Sequence, residues 1–94
     1  MITVRDNDFW RGTEKIGYIL DNDIYDHNGK KLGYFEGAHI YDYSGRKVAY
    51  ILGNEVISTT DEDQKFKLDE NHRHVVGGAL SDAARAAARL FLGD

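Results

Sequence analysis

The sequence predicts a mainly β fold: an antiparallel meander of short hairpins, barrel-like in closure, with one C-terminal α-helix. Three observations carry that prediction. The stretch IYDHNGKKLGYFEGAH (24–39) is followed directly by IYDYSGRKVAYILGNE (40–55), identical at seven of 16 positions. Turn residues recur about every eight positions along it, as alternating hairpin turns require. After residue 80 the composition changes to SDAARAAARLFLGD, whose alanines and leading serine suit a helix.

The elements follow in order. IGYILDND (16–23) matches LGYFEGAH (32–39) and VAYILGNE (48–55), so the repeat extends backwards. FWRGTEK (9–15) reads as a degraded half-copy one residue short, and VIS (56–58) stands where IYD would begin the next. About three and a half copies of a 16-residue unit thus occupy 9–59. Asn28-Gly29 and Ser44-Gly45 are two-residue turn signals. Glu36-Gly37 and Leu52-Gly53 mark the opposite turns, with Leu20-Asp21 as their weaker equivalent. Strands are expected over 15–19, 23–27, 31–35, 38–42, 47–51 and 54–59. Residues 60–74 are charged and aperiodic, a loop with room for one short strand near Phe66–Leu68, and 75–80 can hold another. The helix covers 81–92, with Ser81 as N-cap and Asp82 favoured by the positive N-terminus. Leu80, Ala84, Ala87 and Phe91 follow the spacing of a buried stripe, leaving Arg85 and Arg89 on the wet face. The 94 residues make a single domain.

Two-residue turns would align side chains in straight rows across the sheet. One row is Gly17, Ile24, Gly33, Ile40, Ala49 and Val56, alternating small with branched residues, where a close neighbour such as the alanine-rich helix is expected. On the opposite face run Ile16, Tyr25, Leu32, Tyr41, Val48 and Ile57. Beside them run Tyr18, Asp23, Tyr34, His39, Tyr50 and Glu55. Both faces are therefore largely apolar, more than one short helix covers. Curling into a barrel or a second subunit must close the other, and a homo-oligomer is the expected outcome.

Candidate sites are few. Asp26 with Lys31, and Asp42 with Lys47, are expected as cross-strand ion pairs fixing hairpin register. The row Tyr18, Asp23, Tyr34, His39, Tyr50 and Glu55 is the candidate surface, suited to protein packing or to a sugar or other small ligand. His72 and His74, with Asp69 and Glu70 nearby, form a weak metal candidate, since alternate residues of an extended segment face one way. Gly77-Gly78 ahead of the helix hints at an anion cradle, though ending a strand is their expected role. No nucleophile, acid–base pair or cofactor motif is recognisable, so neither an enzyme nor a cofactor is expected. A net charge of −4 argues against nucleic acid and against an anionic membrane surface. The chain has no cysteine and no apolar run long enough to span a bilayer, and a cytoplasmic protein is expected.

The residues IYDHNGKKLGYFEGAHIYDYSGRKVAY, over a region of about 9–59, resemble the bacterial four-fold β-flower proteins, whose hairpins run I/V-Y-D-x-x-G-x-x-I/V-G-Y-x-x-G. The resemblance implies a symmetric arrangement of short hairpins and brings no activity or catalytic residues with it. Ala49, in place of the strand glycine, departs from the pattern. The function expected is a non-enzymatic interaction or self-assembly module using the tyrosine-lined surface, with small-ligand or carbohydrate binding on the same row as the alternative.

Overall fold

The computed structural model describes residues 1–60 and 65–93. Its strands are β1 (Ile2–Arg5), β2 (Asp8–Arg11), β3 (Glu14–Leu20), β4 (Asp23–Asp26), β5 (Lys31–Glu36), β6 (His39–Asp42), β7 (Lys47–Leu52), β8 (Glu55–Ser58), β9 (Lys65–Lys67) and β10 (Val75–Val76). They form one sheet in which β1 to β9 pair antiparallel in chain order and β10 adds parallel to β1. Helix α1 (Leu68–His74) joins β9 to β10, and α2 (Asp82–Leu92) ends the described chain. The charged segment expected as a loop is thus partly ordered: β9 lies where a short strand had room, and α1 follows it. Asp69 and Glu70 stabilise the first turn of α1, and the helix packs on α2. Residues 61–64 of the expected loop lie outside the described residues.

Two kinds of turn alternate. Beyond β4, Gly29 adopts φ +85° and its amide donates to the Asp26 carbonyl; beyond β6, Gly45 does the same at φ +89° with Asp42. The Asp26 carboxylate accepts from the Asn28 and Lys30 amides at 2.8 and 3.0 Å, and the Asp42 carboxylate from the Ser44 and Arg46 amides at 2.9 and 3.0 Å. These aspartates fold their own turns and do not make the expected ion pairs with Lys31 and Lys47. A carboxylate bent back over its turn cannot also reach across the ladder. The loops hold three residues, 27–29 and 43–45, and a bulge in the next strand restores the register. Ile24 therefore faces Gly33 and Ile40 faces Ala49 as expected, while Tyr25 faces Lys31 and Tyr41 faces Lys47. In the degraded first copy the loop is Gly12-Thr13, one residue shorter, with Arg11 opposite Glu14.

At the other end the turns are Asp6-Asn7, Asp21-Asn22, Gly37-Ala38 and Gly53-Asn54. Their first residues take φ between +53° and +61°. Each of the last three lies one residue later than expected, because the left-handed position is the first of the turn. Cross-strand partners consequently move by two. A shift of two turns no side chain over (only the bulges do that, bringing Lys31 and Lys47 to the face of Tyr25 and Tyr41), but the straight rows become a staircase: Ile19 faces Ile24, Phe35 faces Ile40, and Ile51 faces Val56. The carbonyls of residues 7, 22, 38 and 54 accept from the amides of Ile19, Phe35, Ile51 and Leu68. Those four equivalent bonds make the arrangement four-fold.

The stagger curls the sheet. Ten flat strands would separate the outer two by about 43 Å, yet the molecule measures 33 × 28 × 21 Å. A seven-residue helix, about 10 Å long, leads straight from β9 to β10, so the two edges have come round to face each other across α1. Inside the curl lies α2. Ala83, Ala84, Arg85, Ala86, Ala87 and Ala88 are consecutive and all buried, which a helix on a flat sheet cannot achieve. Its alanines are small because the bore is narrow. Around it stand Ile2, Val4, Phe9, Ile19, Ile24, Ile40, Val56 and Val75, each buried, the larger ones contributing about 1.5–3 kcal/mol apiece.

Arg85 is not on a wet face. It is 6% exposed, and its guanidinium donates to the carbonyls of Val75, Gly77 and Gly78. A residue expected in water is thus the bolt between α2 and the β10 segment. Arg89 lies over the Phe66 ring at 4.3 Å and beside Glu70, joining α2 to β9 and α1. Arg11 reaches the carbonyls of Leu92 and Gly93, capping the negative end of α2. A methyl on Gly33 would overlap Phe91 Cζ and the Tyr41 carbonyl, and one on Gly17 would crowd Leu92, so the strand glycines make room for the helix as expected.

Candidate functional site: the outer tyrosine face

With the inner face filled by α2, the outer face of the sheet carries the polar and aromatic half of the repeat. Tyr18 and Tyr25 stack across β3 and β4 with ring centroids 5.0 Å apart, and Tyr34 and Tyr41 stack across β5 and β6 at 5.0 Å. The interplanar angles of 12° and 18° follow from strands about 4.8 Å apart holding both rings on edge. The third copy has Tyr50 opposite Ile57. The staircase register makes these pairs; straight rows would set Tyr34 between Asp23 and His39, and Tyr41 between Leu32 and Val48.

A lysine three residues before each first tyrosine lies over its ring: Lys15 over Tyr18 at 5.3 Å, Lys31 over Tyr34 at 4.8 Å, and Lys47 over Tyr50 at 5.8 Å. An acid on the preceding strand holds the first two lysines, Asp8 with Lys15 at 3.1 Å and Asp23 with Lys31 at 3.2 Å. Asp8 and Asp23 face Tyr18 and Tyr34 from the strand opposite the stacked tyrosine. The lysine thus covers one face of each ring and the second tyrosine the other. The tyrosine hydroxyls extend over the next hairpin, Tyr18 Oη toward Gly29 and Tyr34 Oη toward Gly45.

Of the residues singled out from the sequence, Tyr18, Asp23, Tyr34, His39, Tyr50 and Glu55 all share this outer face. Asp23 is bound to Lys31, His39 faces Glu36 and Tyr50, and Glu55 faces Leu52 and Lys67. Sequence reasoning missed Tyr25 and Tyr41 as stacking partners and Lys15, Lys31 and Lys47 as ring covers. The Lys-x-x-Tyr spacing in three successive copies was the signal available.

The other candidates dissolve. His72 and His74 fall in α1, where residues two apart do not share a face, so the extended spacing behind the metal candidate is lost; the His72 side chain lies outside the described residues. Among the described residues no three His, Asp or Glu side chains gather to hold an ion. Gly77-Gly78 turn their carbonyls to Arg85, so the hinted anion cradle is instead the seat of a cation. An open cleft of about 510 Å³ lies between the first turn and the entry to α2, lined by Asp6, Asn7, Gly78, Ala79 and Leu80. Of its lining residues only Asp6 ionises. Among the described residues, two carboxyls depart clearly from their ordinary range. Asp26 is held low, chiefly by the Lys30 amide, and Asp42 chiefly by the Ser44 hydroxyl, and both serve turns. Among the described residues no helix is long and apolar enough to cross a membrane.

Fold and surface together define a class: a four-fold hairpin meander curled around a central helix, with an aromatic ladder outside. A family model described as 4-fold beta flower protein matches residues 9–66, and the chain belongs to that family. No curated protein and no solved structure is similar enough to match.

Proposed function

We propose that this protein is a non-enzymatic interaction module that packs its tyrosine-lined outer face against another protein surface, self-assembly included. The observation behind this is the posture of the rings. Sugar-binding platforms offer a ring face to the ligand, whereas Tyr18 and Tyr34 have both faces covered, by a tyrosine and a lysine. They present edges and hydroxyls, with mixed charges between them, which resembles the aromatic and polar composition of protein interfaces. The alternative, a sugar or other small ligand on the same row, has correspondingly less support. A cytoplasmic setting and a homo-oligomeric state belong to this proposal.

The test is solution mass across a concentration series, for the native chain and for Tyr34→Ser with Tyr41→Ser. The native chain is expected to associate and the double variant to stay monomeric with an unchanged far-ultraviolet circular dichroism spectrum. A native chain that is monomeric throughout, or a variant that associates equally well, would count against the self-associating form.

A further inference from the structure

We propose that the surface seated on this face is a second copy of the chain, held by reciprocal ion pairs between Glu36 of one protomer and Lys47 of the other. The dimer rests on the interaction role proposed above and names its partner. What points to it is a break in the repeat. In the first two copies the ring-covering lysine is neutralised within the chain, Lys15 by Asp8 and Lys31 by Asp23. In the third the acid's place is taken by His39, which faces Tyr50 as Asp23 faces Tyr34. Lys47 keeps its position over Tyr50, and among the described residues no carboxylate pairs with it.

The missing negative charge stands in the copy before it. Glu36 lies opposite His39, in the place that Leu20 and Leu52 occupy in the neighbouring copies. It is exposed, and among the described residues it has no ion-pair partner. Two adjacent copies of the repeat therefore carry an open anion on β5 and an open cation on β7, on either side of β6. An isologous contact satisfies both at once, because what one protomer offers the other receives. A two-fold axis in the plane of contact, crossing β6 between His39 and Tyr41, sets each Glu36 against the opposing Lys47. The Tyr34–Tyr41 stack then lies at the centre, and Leu52, 63% exposed, lies toward the rim. The Asp8–Lys15 and Asp23–Lys31 pairs are closed within the chain and so do not compete as the centre of such a contact.

Charge exchange tests this directly, since both residues are exposed and neither supports the core. Glu36→Lys alone places four lysines at the contact, and Lys47→Glu alone places four glutamates. Each single variant is expected to dimerise roughly a hundredfold more weakly than the native chain, like charges facing each other being worth several kcal/mol. An equimolar mixture of the two singles is expected to form a one-to-one heterodimer by native mass spectrometry, and the double exchange E36K/K47E to dimerise again. Single variants that dimerise as tightly as the native chain, or a mixture that stays monomeric, would overturn the pairing while leaving an associating outer face standing. A native chain that is monomeric at every concentration would overturn both.

Discussion

At the scale of single residues, the two turn aspartates show how a repeated letter acquires its meaning. Asp26 and Asp42 stand at equivalent positions, and each gathers two backbone amides around one carboxylate oxygen. Because hydrogen bonding holds their carboxyls below the ordinary value of 3.8, the ionised form favours the folded state. That contribution is complete above 3.8 and is lost as pH falls through the lower folded value. Asp42→Asn keeps an acceptor oxygen but removes the titration. Its stability deficit against the native chain, read by thermal denaturation, is therefore expected to shrink steadily as pH drops below 3.8. A strand glycine gives the contrasting case. Gly33→Ala would drive a methyl into Phe91 and the Tyr41 carbonyl, and an overpacked site costs roughly 1–3 kcal/mol. Gly37→Ala meets no neighbour, but its φ of +58° costs a side chain about 1–2 kcal/mol. Urea denaturation is expected to show both losses, with crowding of Phe91 visible only for Gly33→Ala in side-chain NMR. The need for a close neighbour over Gly33 was legible in the sequence, because a glycine amid strand-forming residues asks for one. The carboxylate's choice between its turn and a lysine across the ladder was not, since both geometries share the same spacing.

At the scale of elements, α2 shows where periodicity misleads. Six alanines or arginines in a row buried on all sides read, by helical spacing, as a stripe with a wet back. The spacing of small residues says that a helix is narrow and does not say how many walls surround it. Arg85 then takes a role that no local rule assigns, reaching three carbonyls of the β10 segment. Arg85→Ala is expected to cost about 1–3 kcal/mol, the usual penalty for carbonyls left buried without donors. Arg85→Lys should recover only part of it, because a compact ammonium cannot span three acceptors. Hydrogen exchange locates the effect: the Val75 and Val76 amides should lose protection before those of β4 to β7, since the bolt holds only the parallel edge strand. The hairpins were legible because their period and turn residues are local. α1 was not, because a seven-residue charged helix forms only against neighbours that chain order does not reveal. The turns at 21–22, 37–38 and 53–54 missed their places by one residue, since Gly, and Asp21 in the earlier copy, fits either position of a tight turn; that single slip created the tyrosine stacks no straight row contains.

At the scale of the whole molecule, the fold is a sheet that has no core without its last segment. The inner residues Ile2, Phe9, Ile24, Ile40 and Val56 converge on α2, and the staggered hairpins curl only as tightly as that helix allows. Local turn chemistry fixes each hairpin, while α2 supplies the contacts that make four of them one body. A chain ending at Leu80 should therefore keep hairpin-level structure but lose cooperative unfolding. Far-ultraviolet circular dichroism would retain a weak β signal, and the urea transition would broaden with a smaller m-value, less surface being buried. The Ala87→Leu variant separates the presence of the helix from its calibre. Ala87 is fully buried, and three added carbons in a bore walled by alanine and isoleucine should cost roughly 1–3 kcal/mol without abolishing cooperativity. If the truncated chain unfolds as sharply as the native one, the helix is a lodger rather than the core. If Ala87→Leu is neutral, the sheet can open to accept a wider helix, and the stagger of its hairpins, not α2, sets the curl.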